Sequence, residues 1–272
     1  MTYLSELVSS RELLANLTMR EVKGKYRRTV FGQLWSLINP IATMLVYTVV
    51  FSLIFRARIQ TGDPSGIQVY PLWLMSGLLP WMFFTRVVNG GMSSITANGS
   101  LIKKVWFPRM NLPLSTVGSV GFTWLLEMGV LALVLVAFGS ALYLYLPMIV
   151  LTMVCLALFA GGLAMLLAII NVHFRDMQHL MGIVLQMWMY LTPIIYPITL
   201  VERAASEHGA WILTVYRLNP MERFVEVFRN FLYDNRMPDP SDAAFVVLAA
   251  VITFIAGYLV FSRNDKKLAE LL

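Results

Sequence analysis

Between Met110 and Phe174 the chain runs for 65 residues with Glu127 as its only formal charge, and this stretch constrains the fold more than any other feature. A helix needs roughly 20 residues to cross about 30 Å of hydrocarbon, so the stretch holds two crossings, joined near Gly139 to Pro147. Ser36 to Phe55 and Ala243 to Ser262 are further blocks without any charge. Tyr70 to Asn89 and Leu180 to Pro197 fit two more. Only 13% of the chain is charged, about half the share usual in a soluble domain. The expected fold class is therefore an all-α polytopic membrane protein with six transmembrane helices.

Basic loop residues are retained on the cytoplasmic side. With the N-terminus inside, cytoplasmic segments hold 14 of the 21 Lys and Arg residues, counting Arg86 to Arg109 as one such segment. Both termini are thus expected in the cytoplasm, with the chain crossing a membrane. The net charge of +6 then reflects topology and anionic membrane lipids, not nucleic acid. Cys155 is the single cysteine and lies within a span, which excludes disulfides within one chain. No cleavable leader is apparent; the first span reads as a retained signal anchor.

From Tyr3 to Leu17, Leu4, Leu7, Val8, Leu14 and Leu17 recur at helical spacing among polar residues, as in an amphipathic helix lying at the membrane interface. Pro71 and Pro80 fall in the second span, and Pro193 and Pro197 in the fifth. Proline in a membrane helix frees carbonyls that neighbouring helices or water must satisfy, so both spans are expected to be broken. Ile198 to Asp242 is an external segment in which Asn219-Pro220 supplies a helix start. Phe224, Phe228, Phe231 and Leu232 then line one face, with Glu222, Arg223, Glu226 and Arg229 on the remainder. Short re-entrant helices dipping into the outer interface between spans five and six account for both. Ala157 and Gly161, and Ala160 and Ala164, suit close packing of the fourth span.

Catalytic and nucleotide motifs are missing. Gly24-Lys25 is followed by Tyr26 and lacks the preceding glycine of a phosphate-binding loop. Asp239 and Asp242 suit a turn and cap, and His173 and His179 suit loop packing, so no metal site is expected. Glu127 is a mid-span acid, expected to face the bundle or a wet cavity, neutral or paired; a proton relay is the alternative reading. Asn98 to Pro113 combines Leu101, Val105, Trp106 and Phe107 with Lys103, Lys104 and Arg109. Aromatic anchors ringed by charge serve protein docking, while Trp and Lys equally suit lipid headgroups; composition leaves both open.

Five stretches in order carry a resemblance: Arg20 to Pro40, Leu101 to Arg109, Asn171-Val-His-Phe-Arg-Asp176, Leu191-Thr-Pro-Ile-Ile-Tyr-Pro197 and Leu218-Asn-Pro220. Through them the chain resembles permeases of ABC-type polysaccharide and polyol-phosphate exporters, such as those for O-antigen, teichoic acid, capsule or galactan. The resemblance implies a homodimer with two copies of a nucleotide-binding ATPase subunit, which would carry ATP and Mg; this chain would hold no cofactor. It makes Leu101, Lys103, Lys104, Val105, Trp106, Phe107 and Arg109 the ATPase-coupling element. It also makes Tyr47, Phe51, Trp188, Tyr190 and Tyr196 a substrate tunnel for lipid-linked polysaccharide. Phe224, Phe228 and Phe231 become an external gate, and Arg27 and Arg28 candidates for the lipid pyrophosphate or headgroup. The implied organisation is a cytoplasmic segment 1–35, a transmembrane domain 36–262 with coupling segment 98–112 and external gate segment 198–242, and a cytoplasmic tail 263–272. An ABC permease for a lipid or drug is the alternative; a membrane glycosyltransferase would need a catalytic acid that the chain does not offer.

Overall fold

The computed structural model describes residues 6, 9–25, 31–50, 61–174, 176–265 and 268, and these are mostly helical with no strand among them. The helices are α1 (Arg11–Lys25), α2 (Trp35–Tyr47), α3 (Tyr70–Ala97), α4 (Asn111–Ala137), α5 (Leu146–His173), α6 (Met177–Tyr190), α7 (Ile198–His208), α8 (Trp211–Arg217), α9 (Pro220–Arg229) and α10 (Pro240–Asn264). Among the described residues, α3, α4, α5 with the turn before it, and α10 are long and apolar enough to cross a membrane. The fifth expected span is shorter here, and the first lies partly outside the described residues. The first is described only to residue 50, and α6 has 14 residues, or about 21 Å at 1.5 Å per residue.

Local chemistry sets the boundaries. Proline occupies the first turn of α3, α5, α9 and α10, where its missing N–H costs nothing. At the end of α4, Gly139 adopts φ +93°. Its N–H donates to Val136 and that of Ser140 to Leu135, the paired bonds that close a helix C-terminus. The second span is not broken, contrary to the expectation from its prolines. Pro71 starts α3, and the helix continues through Pro80 to Ala97.

α3 is the hub, packing against α4, α5, α6 and α9, and Phe83, Phe84, Val87 and Val88 on it are fully buried. Small residues set the tightest crossings. A Cβ on Gly257 of α10 would collide with the backbone of Gly162 on α5, and one on Gly91 of α3 would sit 2.6 Å from the Ala164 methyl. α10 turns Leu248, Ile252 and Ile255 outward, a surface that suits acyl chains and not water.

The bundle has two distinct ends. One gathers α1, the 98–110 connection and the C-terminus of α10. The other gathers the 61–69 loop, the α4–α5 turn and the α7–α9 hairpins: Tyr233 donates to Ile67 O at 2.7 Å, and Ser140 Oγ donates to Asn235 Oδ1 at 2.7 Å.

Candidate functional site

At the terminal end, the connection from α3 to α4 makes one helical turn, Gly99–Ile102, then runs irregularly to Met110. Lys103, Lys104, Val105 and Trp106 project outward, with Trp106 75% exposed. Phe107 and Arg109, assigned above to the same docking face, point the other way. Phe107 is 5% exposed and packs with Ile102, Met110, Leu17 and Phe261 in a second hydrophobic cluster. Arg109 Nη1 donates to Asp265 O at 2.5 Å and Asp265 Oδ2 at 3.2 Å. A large aromatic held out on a stem whose own aromatic is buried inward lets this segment move only with the helices beneath it.

α1 braces the segment from the other side. Arg20 Nη2 donates to Asn98 Oδ1 at 2.8 Å. Glu21 accepts from the hydroxyls of Ser115 at 2.9 Å, Thr116 at 3.5 Å and Ser119 at 2.7 Å, all on α4. Leu17 and Val22 bury beside them. The helix Arg11–Lys25 is therefore packed on protein, while Leu4, Leu7 and Val8 of the expected interfacial helix lie outside the described residues.

At the hairpin end, α6 stops at Tyr190 and the chain turns through Leu191 to Tyr196. The carbonyls freed there are met by side chains. Tyr190 O accepts from Tyr196 Oη at 2.8 Å, and Leu191 O from Asn219 Nδ2 at 3.4 Å. Pro193 O and Ile194 O each accept from Arg229 at 2.6 Å, and Ile195 O from Tyr70 Oη at 2.9 Å. Asn219 also accepts from Trp188 Nε1 at 2.7 Å and Met221 N at 3.0 Å, and donates to Thr192 Oγ1 at 3.0 Å. One residue thus caps α9 and ties it to the break.

The tunnel candidates divide. Trp188 packs edge-on against Trp81 and Phe84, with centroids 6.2 and 5.2 Å away, and forms one wall of a groove of about 470 Å³ with Leu191, Tyr216 and Asn219. Tyr196 is half-buried, its hydroxyl 3.2 Å from that of Tyr216. Tyr190 is 62% exposed. Tyr47 is half-buried against the main core. Phe51, Arg27 and Arg28 lie outside the described residues. Phe224, Phe228 and Phe231 are core side chains in this subunit: Phe228 meets Trp124 at 5.9 Å, Phe224 meets Phe159 at 5.5 Å and Phe231 meets Tyr145 at 5.8 Å.

The spacing of residues missed three charged groups. Arg86, counted above with the cytoplasmic loop, lies well inside α3 and pairs with Glu127 of α4 at 2.8 Å. The acid is fully buried, and one turn further along Phe83 stacks on Trp124 at 4.1 Å. Glu222 and Arg229, placed above on the polar remainder of α9, are 5% and 4% exposed. Burial pushes the Glu222 carboxyl up to about 7, with nearby Arg223 pulling the other way. Asp234 rises to about 6 for the same first reason, opposed by Arg236. No group of three or more potential metal ligands occurs among the described residues.

A sequence profile described as ABC-2 type transporter matches residues 12–233. The chain belongs to the ABC-2 type transporter family and is a multi-pass membrane protein. It is 29% identical over 265 residues to the O-antigen export system permease protein RfbA of Myxococcus xanthus, covering 97% of each chain. It is also 29% identical to the RfbA of Klebsiella pneumoniae, over 96% of this chain and 95% of that one. With the polysialic acid transport protein KpsM of Escherichia coli it shares 20% identity over 92% of each.

Proposed function

We propose that this chain is the permease subunit of an ATP-driven exporter that moves lipid-linked polysaccharide across the bacterial inner membrane. It works as a homodimer with two copies of an ATPase subunit that bring ATP and Mg. End-to-end similarity to permeases named for O-antigen export carries this reading, and the outward Trp106 with Lys103 and Lys104 supplies the ATPase contact. The terminal end then faces the cytoplasm.

Six crossings follow if α2 continues through its apolar block and the fifth span is completed by the irregular run after α6. Such backbone is tolerated at membrane depth only when protein satisfies it, as the side chains at the break do. The groove beside Trp188 and Tyr216 offers aromatic faces on which sugar C–H faces can stack, weakly enough to release. Arg27 and Arg28 meet the lipid pyrophosphate. The gate is the α7–α9 unit moving as a body, its phenylalanines serving as internal packing.

Reconstituting the permease with its ATPase subunit in vesicles, and identifying bound lipid by mass spectrometry, tests this. The expected result is ATP-dependent transfer of a glycan on a lipid carrier. Transfer of a simple lipid or drug, with no glycan bound, would replace the substrate assigned here.

A further inference from the structure

The Arg229 guanidinium is the most deeply buried cation of the hairpin end, and it makes no ion pair among the described residues. Its two terminal nitrogens point at consecutive carbonyls, Pro193 O and Ile194 O, each at 2.6 Å. Its Cζ lies 3.7 Å from the centroid of the Trp73 ring. Room for it is made on α3 by Gly77, where a Cβ would come 3.0 Å from Nη2. Burying a guanidinium with no carboxylate in contact is costly, even with Glu226 and Asp234 acting on it from further away, and an apolar side chain would fill the space at less cost. What only arginine supplies is a rigid fork of donors matched to two adjacent acceptors. Those acceptors belong to the turn that carries Tyr196, whose hydroxyl reaches back to Tyr190 O and touches Tyr216 in the groove.

We propose that Arg229 is a positioning residue for export: it locks the broken end of the fifth span to α3 and α9, and so holds Tyr190 and Tyr196 where the leaving polymer meets them. This rests on the export reading above. Arg229 touches no substrate and acts only through the turn.

The test uses permease and ATPase subunit reconstituted together in vesicles, with polymer transfer and ATP hydrolysis measured side by side. Arg229→Met keeps the bulk and loses both donors. The complex should form in wild-type amount and hydrolyse ATP at the wild-type rate, while polymer transferred per ATP falls about tenfold or more, as loss of hydrogen bonds to a charged group implies. Arg229→Lys, with charge but no fork, should recover part of the ratio. Gly77→Ala, which keeps the guanidinium but crowds it, should lower the ratio in the same direction by less; it carries the test if Arg229→Met fails to assemble. An unchanged transfer-to-ATP ratio in Arg229→Met, or in Gly77→Ala where that variant carries the test, overturns the role. No ATP-dependent transfer by the wild type sinks the export reading itself, whereas wild-type transfer with an unchanged variant ratio sinks only the role of Arg229.

Discussion

The two ends of the bundle treat irregular backbone in opposite ways. At the hairpin end the break after α6 is closed on itself: five carbonyls from Tyr190 to Ile195 accept from Tyr196, Asn219, Arg229 and Tyr70. At the terminal end the connection after α3 is braced from behind by Arg20, Phe107 and Arg109 but leaves Trp106 uncovered. A satisfied break gives a fixed shape for something to move past. An exposed aromatic on a braced stem gives a surface awaiting a partner. A change at one end should therefore be silent in the assay that reads the other.

Asn219→Ala should have the largest effect on the fold, because it removes the α9 cap and the bonds to Trp188, Thr192 and Leu191 together. A loss of about 3 kcal/mol is expected from a cap plus buried hydrogen bonds, read as a lower unfolding midpoint in detergent with ATPase-subunit affinity unchanged. Equal loss of that affinity would break the separation.

The hairpin end should also carry a pH dependence of its own. Glu222 keeps its proton in the folded state up to about pH 7, against a reference of 4.5. The folded protein therefore binds more protons than the unfolded chain between those values. That contribution is fully present below pH 4.5 and is lost as pH rises through 7. Asp234 acts in the same direction up to about pH 6. Glu222→Gln should thus gain on the wild type as pH is raised from 5 to 8, by about 2 kcal/mol, in denaturant unfolding at each pH. A parallel pair of curves would refute the buried neutral acid.

At the terminal end, Glu21→Ala should cost about 1.5 kcal/mol by releasing three hydroxyls on α4 from a charged acceptor. Hydrogen exchange should speed up across α1 while the break after α6 stays protected. The smallest effect belongs to Lys103→Ala on the exposed rim: under about 1 kcal/mol in ATPase-subunit binding, seen chiefly in association rate and lost at high salt.

Which parts were legible in the sequence follows from the range of each interaction. The Asn219-Pro220 start, the freed carbonyls after Tyr190 and the small-residue packing of the fourth span are local signals, and all are found in the structure. Pro80 was misleading because a helix packed on every side, as α3 is, continues through a proline. Arg86 and Arg229 were misplaced for one reason: a cation drawn into a helix bundle is recognisable only by its partners. These lie 41 residues away in Glu127 and 35 and 36 away in Ile194 and Pro193. The same range hid the inward turn of Phe107 and Arg109, since their contacts on Leu17, Phe261 and Asp265 come from both ends of the chain.

The division between the two ends is tested most directly by titrating the ATPase subunit against three permeases in detergent: wild type, Trp106→Ala and Arg229→Met. Loss of a docking anchor of this size costs on the order of 2 kcal/mol, so Trp106→Ala should bind about thirtyfold more weakly while Arg229→Met binds as the wild type does. Wild-type affinity in Trp106→Ala, or equal weakening in Arg229→Met, would contradict the account.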